Sequence, residues 1–176
     1  RNFKSAVLGR DFRSLCMRER QEDSARSNIM RLLAIDTALA GCSAAIFDNQ
    51  RRVLLTKRQD NGQWCLPSGG MESGESAAEA CEREVFEETG LSVRVKRFVG
   101  VYSHPDQLIV YPDGGKFQIV ALHFEAEIID GELGLSDETS DFGYFTMEEV
   151  EGLEMLGRHK ERILDTLVNQ KEAFIR

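Results

Sequence analysis

Glu84, Glu87 and Glu88 stand at i, i+3 and i+4 in a stretch that reads as helix. On an α-helix that spacing places all three carboxylates on one face. Like charges held so close repel, unless a cation sits among them. Oxygen-only ligands of this hardness suit magnesium or manganese better than zinc. Magnesium keeps several waters and shares the rest of its shell with phosphate oxygens. Such an ion polarises a phosphoryl oxygen and acidifies a bound water, and a neighbouring carboxylate can take the proton of the attacking water. Three glutamates on a helix are, by themselves, most often a solvated face. The glycines and the basic residue around them reverse that weighting.

Gly69 is followed by five residues and Glu75, then by seven residues and Arg83-Glu84-Val85-Phe86-Glu87-Glu88-Thr89-Gly90-Leu91. A glycine-rich loop thus feeds a helix with an acidic end. Glycines at 69, 70 and 74 allow turns that other residues resist. Arg83 lies off the carboxylate face and can reach Glu75 or another acid to hold it in place. Cys81 and Val85 turn toward a sheet.

The elements around this segment are legible from periodicity and turn residues. A strand from about Ala38 ends at Asp48-Asn49, and a second runs from Val53 to Arg58 before Asp60-Asn61-Gly62. Ser76 to Thr89 reads as a helix stopped by Gly90. Val93, Val95, Val99 and Val101 share a parity, as in a half-buried strand, and Asp113-Gly114-Gly115 marks a hairpin tip. Val120, Leu122, Phe124, Ala126 and Ile128 occupy one face of a long strand from Phe117 to Ile128, with His123, Glu125 and Glu127 on a partly solvated face opposite. Phe142 to Phe145 is a short strand. Met147–Met155 and Arg158–Ala173 close the chain as helices, the second with an apolar stripe of Ile163, Leu164, Leu167 and Val168. This order argues for an α/β fold, a mixed β-sheet with helices on its faces. Residues 1–30 form an N-terminal extension, disordered or helical, and 31–176 form one domain.

Gly69 to Leu91 resembles the complete signature of the Nudix hydrolases: G, five residues, E, seven residues, R-E, aliphatic, one residue, E-E, one residue, G, aliphatic. All nine specified positions match. Trp64-x-x-Pro67 and the order of elements extend the likeness over roughly residues 38–170. The resemblance implies an α/β/α sandwich around a mixed β-sheet. It implies divalent metal, Mg2+ or Mn2+, on Glu84, Glu87 and Glu88, joined by the backbone carbonyl of Ser68. It places Glu75 and Arg83 where they support the metal-binding acids. It implies attack of water on a nucleoside diphosphate linked to another group, with ADP-ribose or a nucleotide sugar as first candidates and a modified nucleoside triphosphate next. A further acid often lies downstream in the family, and Glu138 in Leu135-Ser136-Asp137-Glu138 is the candidate. The family commonly reads Pro-Gly-Gly where this chain reads Pro67-Ser68-Gly69, so a positive φ at Ser68 would cost strain and alter the loop. A homodimer is compatible with the family. The rival from another class is a nucleotide-sensing module that keeps the fold without turnover.

Bulk properties narrow the field further. The formal net charge of -8 disfavours nucleic-acid polymers and anionic membranes. It also requires local cations or metal at a phosphate site. Cys16, Cys42, Cys65 and Cys81 form no CxxC pair, and His104, His123 and His159 are scattered, which leaves little support for zinc or a disulfide framework. Free thiols fit a cytoplasmic protein. No apolar run is long enough to span a membrane, and the lipobox-like Leu39-Ala40-Gly41-Cys42 falls inside an expected strand. Trp64 is expected in core or pocket wall. The substrate is a small nucleotide, selected in part by the loop His104 to Lys116.

Overall fold

Alternating burial along Thr37–Ile46 shows why this segment is a strand between two layers. Cys42, Ala44 and Ile46 face one apolar cluster, whereas Ala45 faces a second. The computed structural model of the chain describes residues 37–110 and 115–176. The expected extension at residues 1–30 and the hairpin tip at Asp113-Gly114 lie outside the described residues.

Nine strands and three helices follow among the described residues: β1 (Thr37–Ile46), β2 (Val53–Arg58), β3 (Trp64–Cys65), β4 (Ser68–Gly70), α1 (Ala77–Thr89), β5 (Leu91–Tyr102), β6 (Leu108–Val110), β7 (Lys116–Gly131), β8 (Thr139–Phe145), α2 (Met147–Glu151), α3 (His159–Val168) and β9 (Phe174–Ile175). The larger sheet runs β4-β1-β7-β5-β9, with β6 on β7. It is mixed: β1 and β7 are parallel, as are β5 and β9, and the other pairs are antiparallel. A smaller sheet runs β3-β2-β8. Helix α1 packs on one side through Ala80, Cys81 and Val85, against Leu54, Phe124 and Ala126. The other side is covered by Val150 of α2 and Ile163 of α3, against Ala45, Val53 and Leu55. The α/β/α arrangement is therefore present.

Helix α1 is fixed at both ends. Ser76 and Glu79 form a reciprocal capping box, and Gly90 closes the helix at φ 74° with its N–H donating to the Phe86 carbonyl. A Cβ at Gly90 would also lie 2.8 Å from the Glu132 carbonyl oxygen. Gly90→Ala therefore combines a left-handed backbone with a backbone clash. We expect it to lower unfolding stability by about 1–3 kcal/mol, measured by urea denaturation, with most of the loss absent in the control Gly70→Ala, whose Cβ would meet nothing within 4 Å.

The closing helices are shorter than periodicity suggests. After Glu151 the chain leaves the helix, because Glu154 and Leu156 form main-chain hydrogen bonds with Trp64 of β3 at 2.8 Å each. Helix α3 ends at Asn169, in the left-handed region at φ 52°, so that Phe174–Ile175 can pair with β5. The expected stripe on α3 holds in part. Ile163 is buried and Leu167 packs against the same cluster, but Leu164 and Val168 are 45% and 61% exposed. The helix turns Arg162, Asp165 and Thr166 inward instead. These meet polar groups on the sheet, where Ser43 Oγ and Thr166 Oγ1 each lie 2.9 Å from a nitrogen of the buried His123. The face of β7 carrying His123 is thus covered by α3 at that residue and is not a solvated surface. Glu125 and Glu127 engage Arg97 and Arg94 rather than the acidic turn.

Candidate active site

Strand β4 and helix α1 meet at the acidic turn. Ser68 pairs with Ser43 and Gly69 with Cys42, which fixes the edge strand over the helix. Pro67 is buried and its carbonyl accepts from the Ala44 N–H at 3.0 Å. Ser68 is not among the residues with positive φ, so the expected strain there is absent: it lies in extended backbone, where Ser is as acceptable as Gly. Gly69 is required for a different reason. A Cβ there would stand 2.0 Å from Glu84 Oε2, so the carboxylate rests directly on the glycine.

The three carboxylates differ in environment. Glu88 is 7% exposed and accepts the Ser68 N–H at 3.2 Å. Burial pushes its pKa up to about 8, and the charges of Glu84 and Glu138 add to the shift. Burial likewise raises Glu84, against the opposing pull of Arg83. Glu87 is the outermost, with its side chain 57% exposed.

Arg83 gathers the cluster. Its guanidinium donates to both oxygens of Glu75 at 2.7 and 3.0 Å, to Glu84 at 2.8 Å, to Glu87 at 3.0 Å and to the Gly70 carbonyl at 2.9 Å. The hydrogen bonds from Arg83, and then one from the Glu72 N–H, hold the Glu75 carboxyl down at about 2. Glu75 therefore stays ionised and anchors Arg83, which in turn orients Glu84. The arginine reaches across to the acids although its own position lies off their face.

Among the described residues, no three acidic, histidine or cysteine side chains are brought together as a group that would hold a metal ion. Arg83 draws Glu84 and Glu87 toward itself, while Glu88 turns to Ser68. The donor chemistry nevertheless fits a hard divalent cation. Two desolvated carboxylates on one helix turn lie against a strand edge, and their mutual repulsion disfavours the charged state. An ion that retains waters needs no closed cage. Glu138 sits in the exposed turn before β8, and its charge acts on both Glu84 and Glu88.

Comparisons with known proteins identify the family. The NUDIX domain family profile matches residues 38–167. The chain belongs to the NUDIX family. It is a hydrolase of phosphoanhydride bonds. A relative from Methanocaldococcus jannaschii, named ADP-ribose pyrophosphatase, is 29% identical over 174 residues, covering 97% of this chain and 93% of the relative. A MutT-like protein of Streptomyces ambofaciens is 34% identical over 116 residues, 66% of this chain and 68% of that one. Among solved structures, an ADP-ribose pyrophosphatase from Streptococcus suis superposes with TM-score 0.60 at 22% identity, over 78% of this chain and 97% of that one. The NUDIX domain of Shewanella oneidensis NrtR, complexed with ADP ribose, superposes with TM-score 0.61 at 18% identity, over 80% and 93% of the two chains. At such identities the solved structures speak for the fold.

Other residues of this NUDIX domain fall into place. Trp64 packs edge-on against Phe145 at 4.8 Å, and Lys57 lies over its ring at 5.7 Å. Arg58 pairs with the exposed Asp60 at 2.7 Å and also feels the charge of Glu88. His104 is half exposed and contacts Asp106 at 2.6 Å. Sequence reading passed over His159, which is buried and accepts the Leu66 N–H through Nδ1 at 3.0 Å. No spacing rule links positions 66 and 159. Among the described residues, Cys42, Cys65 and Cys81 are buried free thiols, and no helix is long and apolar enough to cross a membrane.

Proposed function

We propose that this NUDIX hydrolase is a divalent-metal-dependent pyrophosphohydrolase that cleaves ADP-ribose, or a related nucleoside diphosphate sugar, to a nucleoside monophosphate and a sugar phosphate. The observation that carries the chemistry is the desolvated pair Glu84 and Glu88, packed under β4, with Glu84 held by Arg83 and Glu88 by the Ser68 N–H. The relative matched over nearly the whole chain supports the choice of ADP-ribose.

In this reading Glu84, Glu87, Glu88 and the Ser68 carbonyl hold Mg2+ or Mn2+. When bound, the ion supplies Lewis acidity to the diphosphate and acidifies water. The protein's own groups do the rest. Arg83 and Glu75 fix the direction of Glu84. One of these carboxylates, or Glu138, takes the proton of the attacking water. Glu138 adds negative charge that favours retention of the cation. Buried free thiols accord with a cytoplasmic setting.

A panel of ADP-ribose, nucleotide sugars and modified nucleoside triphosphates, incubated with magnesium, tests the proposal. Release of AMP and ribose 5-phosphate from ADP-ribose is the expected result. Preferential cleavage of a triphosphate would move the substrate class. Tight nucleotide binding without turnover of any member would identify a sensor.

A further inference from the structure

Glu82 occupies a position that the family signature leaves free, just before Arg83. At about 100° per residue it stands roughly 140–240° around α1 from Glu84, Glu87 and Glu88, so it leaves the helix on the opposite side. Its half-buried side chain crosses to β5, where Oε1 accepts the Val95 N–H at 3.0 Å. Strand β5 slips register at that point. Val95 pairs with Ala126 of β7 and Arg97 with Glu125, which leaves Lys96 as the extra residue of a bulge. A bulge disrupts the ladder locally, and here the Val95 N–H goes to the helix instead.

Helix α1 is therefore tied to two separate strands. On one side the Arg83 guanidinium donates to the Gly70 carbonyl and Glu88 accepts the Ser68 N–H, both on β4. On the other side Glu82 holds β5. Strands β1 and β7 run between those two in the sheet, so β4 and β5 lie three strand spacings apart, about 14 Å. Between the ties α1 rests on Ala77, Ala80, Cys81 and Val85. Three of these side chains are small, and the shallow ridges they form resist rotation about the helix axis only weakly. Burial of apolar surface is also non-directional. A hydrogen bond to a fixed point on a strand has the direction that the apolar contact lacks.

We infer that Glu82 is a positioning residue for the hydrolysis: its bond to the bulge of β5 sets the rotation of α1, and with it the place of Glu84 and Glu88 under β4. The inference rests on the reading that these acids hold the ion. Side-chain ends stand about 6 Å from a helix axis, so a rotation of about 10° moves a carboxylate by about 1 Å. A shift of that size at a reacting group is costly to the rate. Glu82 leaves the helix away from the acids, so it acts only through α1.

Three variants test this, each assayed well below its melting temperature. Glu82→Ala removes the acceptor and puts a good helix former in its place. It should lower kcat about tenfold at saturating magnesium and ADP-ribose while KM for ADP-ribose moves less than about threefold. It should also weaken Mn2+ binding to the substrate-free protein about tenfold, read from the electron paramagnetic resonance of free Mn2+. Glu82→Gln keeps the acceptor oxygen and drops the charge, and should return both readings to within about twofold of wild type. Thr146→Ala removes the capping box of α2 and should lower the melting temperature with kcat unchanged. A loss in either reading for Glu82→Ala, restored by glutamine, sustains the inference. Wild-type kcat and Mn2+ affinity in Glu82→Ala overturn it. So does a glutamine variant as impaired as alanine, or an equal loss of kcat in Thr146→Ala, since charge or stability would then be the cause. If wild type leaves ADP-ribose intact, the proposed substrate falls and the Mn2+ titrations decide the role of Glu82. If wild type cleaves ADP-ribose but binds no Mn2+, the assignment of the metal falls and the kcat comparison decides.

Discussion

Glu88→Gln is expected to lower turnover by about 10²–10³-fold at saturating magnesium, and at the same time to stabilise the metal-free protein at alkaline pH. The two effects share one cause. Glu88 is 7% exposed beside Glu84, and its folded pKa of about 8 lies above the ordinary carboxylate value of 4.5. A carboxyl raised in this way favours folding when protonated. Its contribution is complete below about 4.5 and is lost as pH climbs through about 8. The metal-free wild type should therefore become less stable across that window, by an amount on the order of a few kcal/mol. Glutamine keeps the shape and can still accept the Ser68 N–H, but carries no charge, so the slope should flatten. Urea titrations at pH 5 and pH 8 without metal, beside steady-state rates with magnesium, supply both readings. A variant with wild-type turnover would remove Glu88 from the site. An unaltered pH slope would show that Glu88 is not held at a raised pKa.

Gly69→Ala should reduce activity by about 10²-fold with little loss of stability. The added methyl would lie 2.0 Å from Glu84 Oε2 and 2.2 Å from its Cδ, but the obstacle is the end of a side chain and not backbone. Glu84 can swing away, so the fold survives while the carboxylate leaves its position between Arg83 and β4. A displacement of about 1 Å at a reacting group is enough for a loss of this size. The second variant Gly69→Ala/Glu84→Asp has a shorter acid and room for the methyl, and should recover part of the lost rate. Rates and melting curves of the single and double variants decide the matter. A Gly69→Ala protein with full activity would mean that the contact between Glu84 and Gly69 has no part in the reaction.

Both predictions concern residues found from spacing, yet each takes its force from neighbours distant in sequence. The i, i+3, i+4 glutamates, the capping residue Ser76 and the terminating Gly90 are local features. A helix carries them wherever it packs, so the sequence by itself determined the acidic turn, its helix, the mixed α/β order and the family. It could not rank the three acids, because desolvation depends on what covers them. Ser68 arrives from another strand to meet Glu88, whereas Glu87 is left outermost. Nor could it explain Gly69, whose role is close approach and not a left-handed turn. The inward polar face of α3 was hidden for a related reason. Periodicity finds helix faces by their apolar residues, and Arg162, Asp165 and Thr166 are buried only because Ser43, Tyr102 and His123 on the sheet receive them. Helical spacing was thus written locally, while burial and the pairing of charges across strands were decided by the tertiary structure, since both depend on groups that only folding brings together.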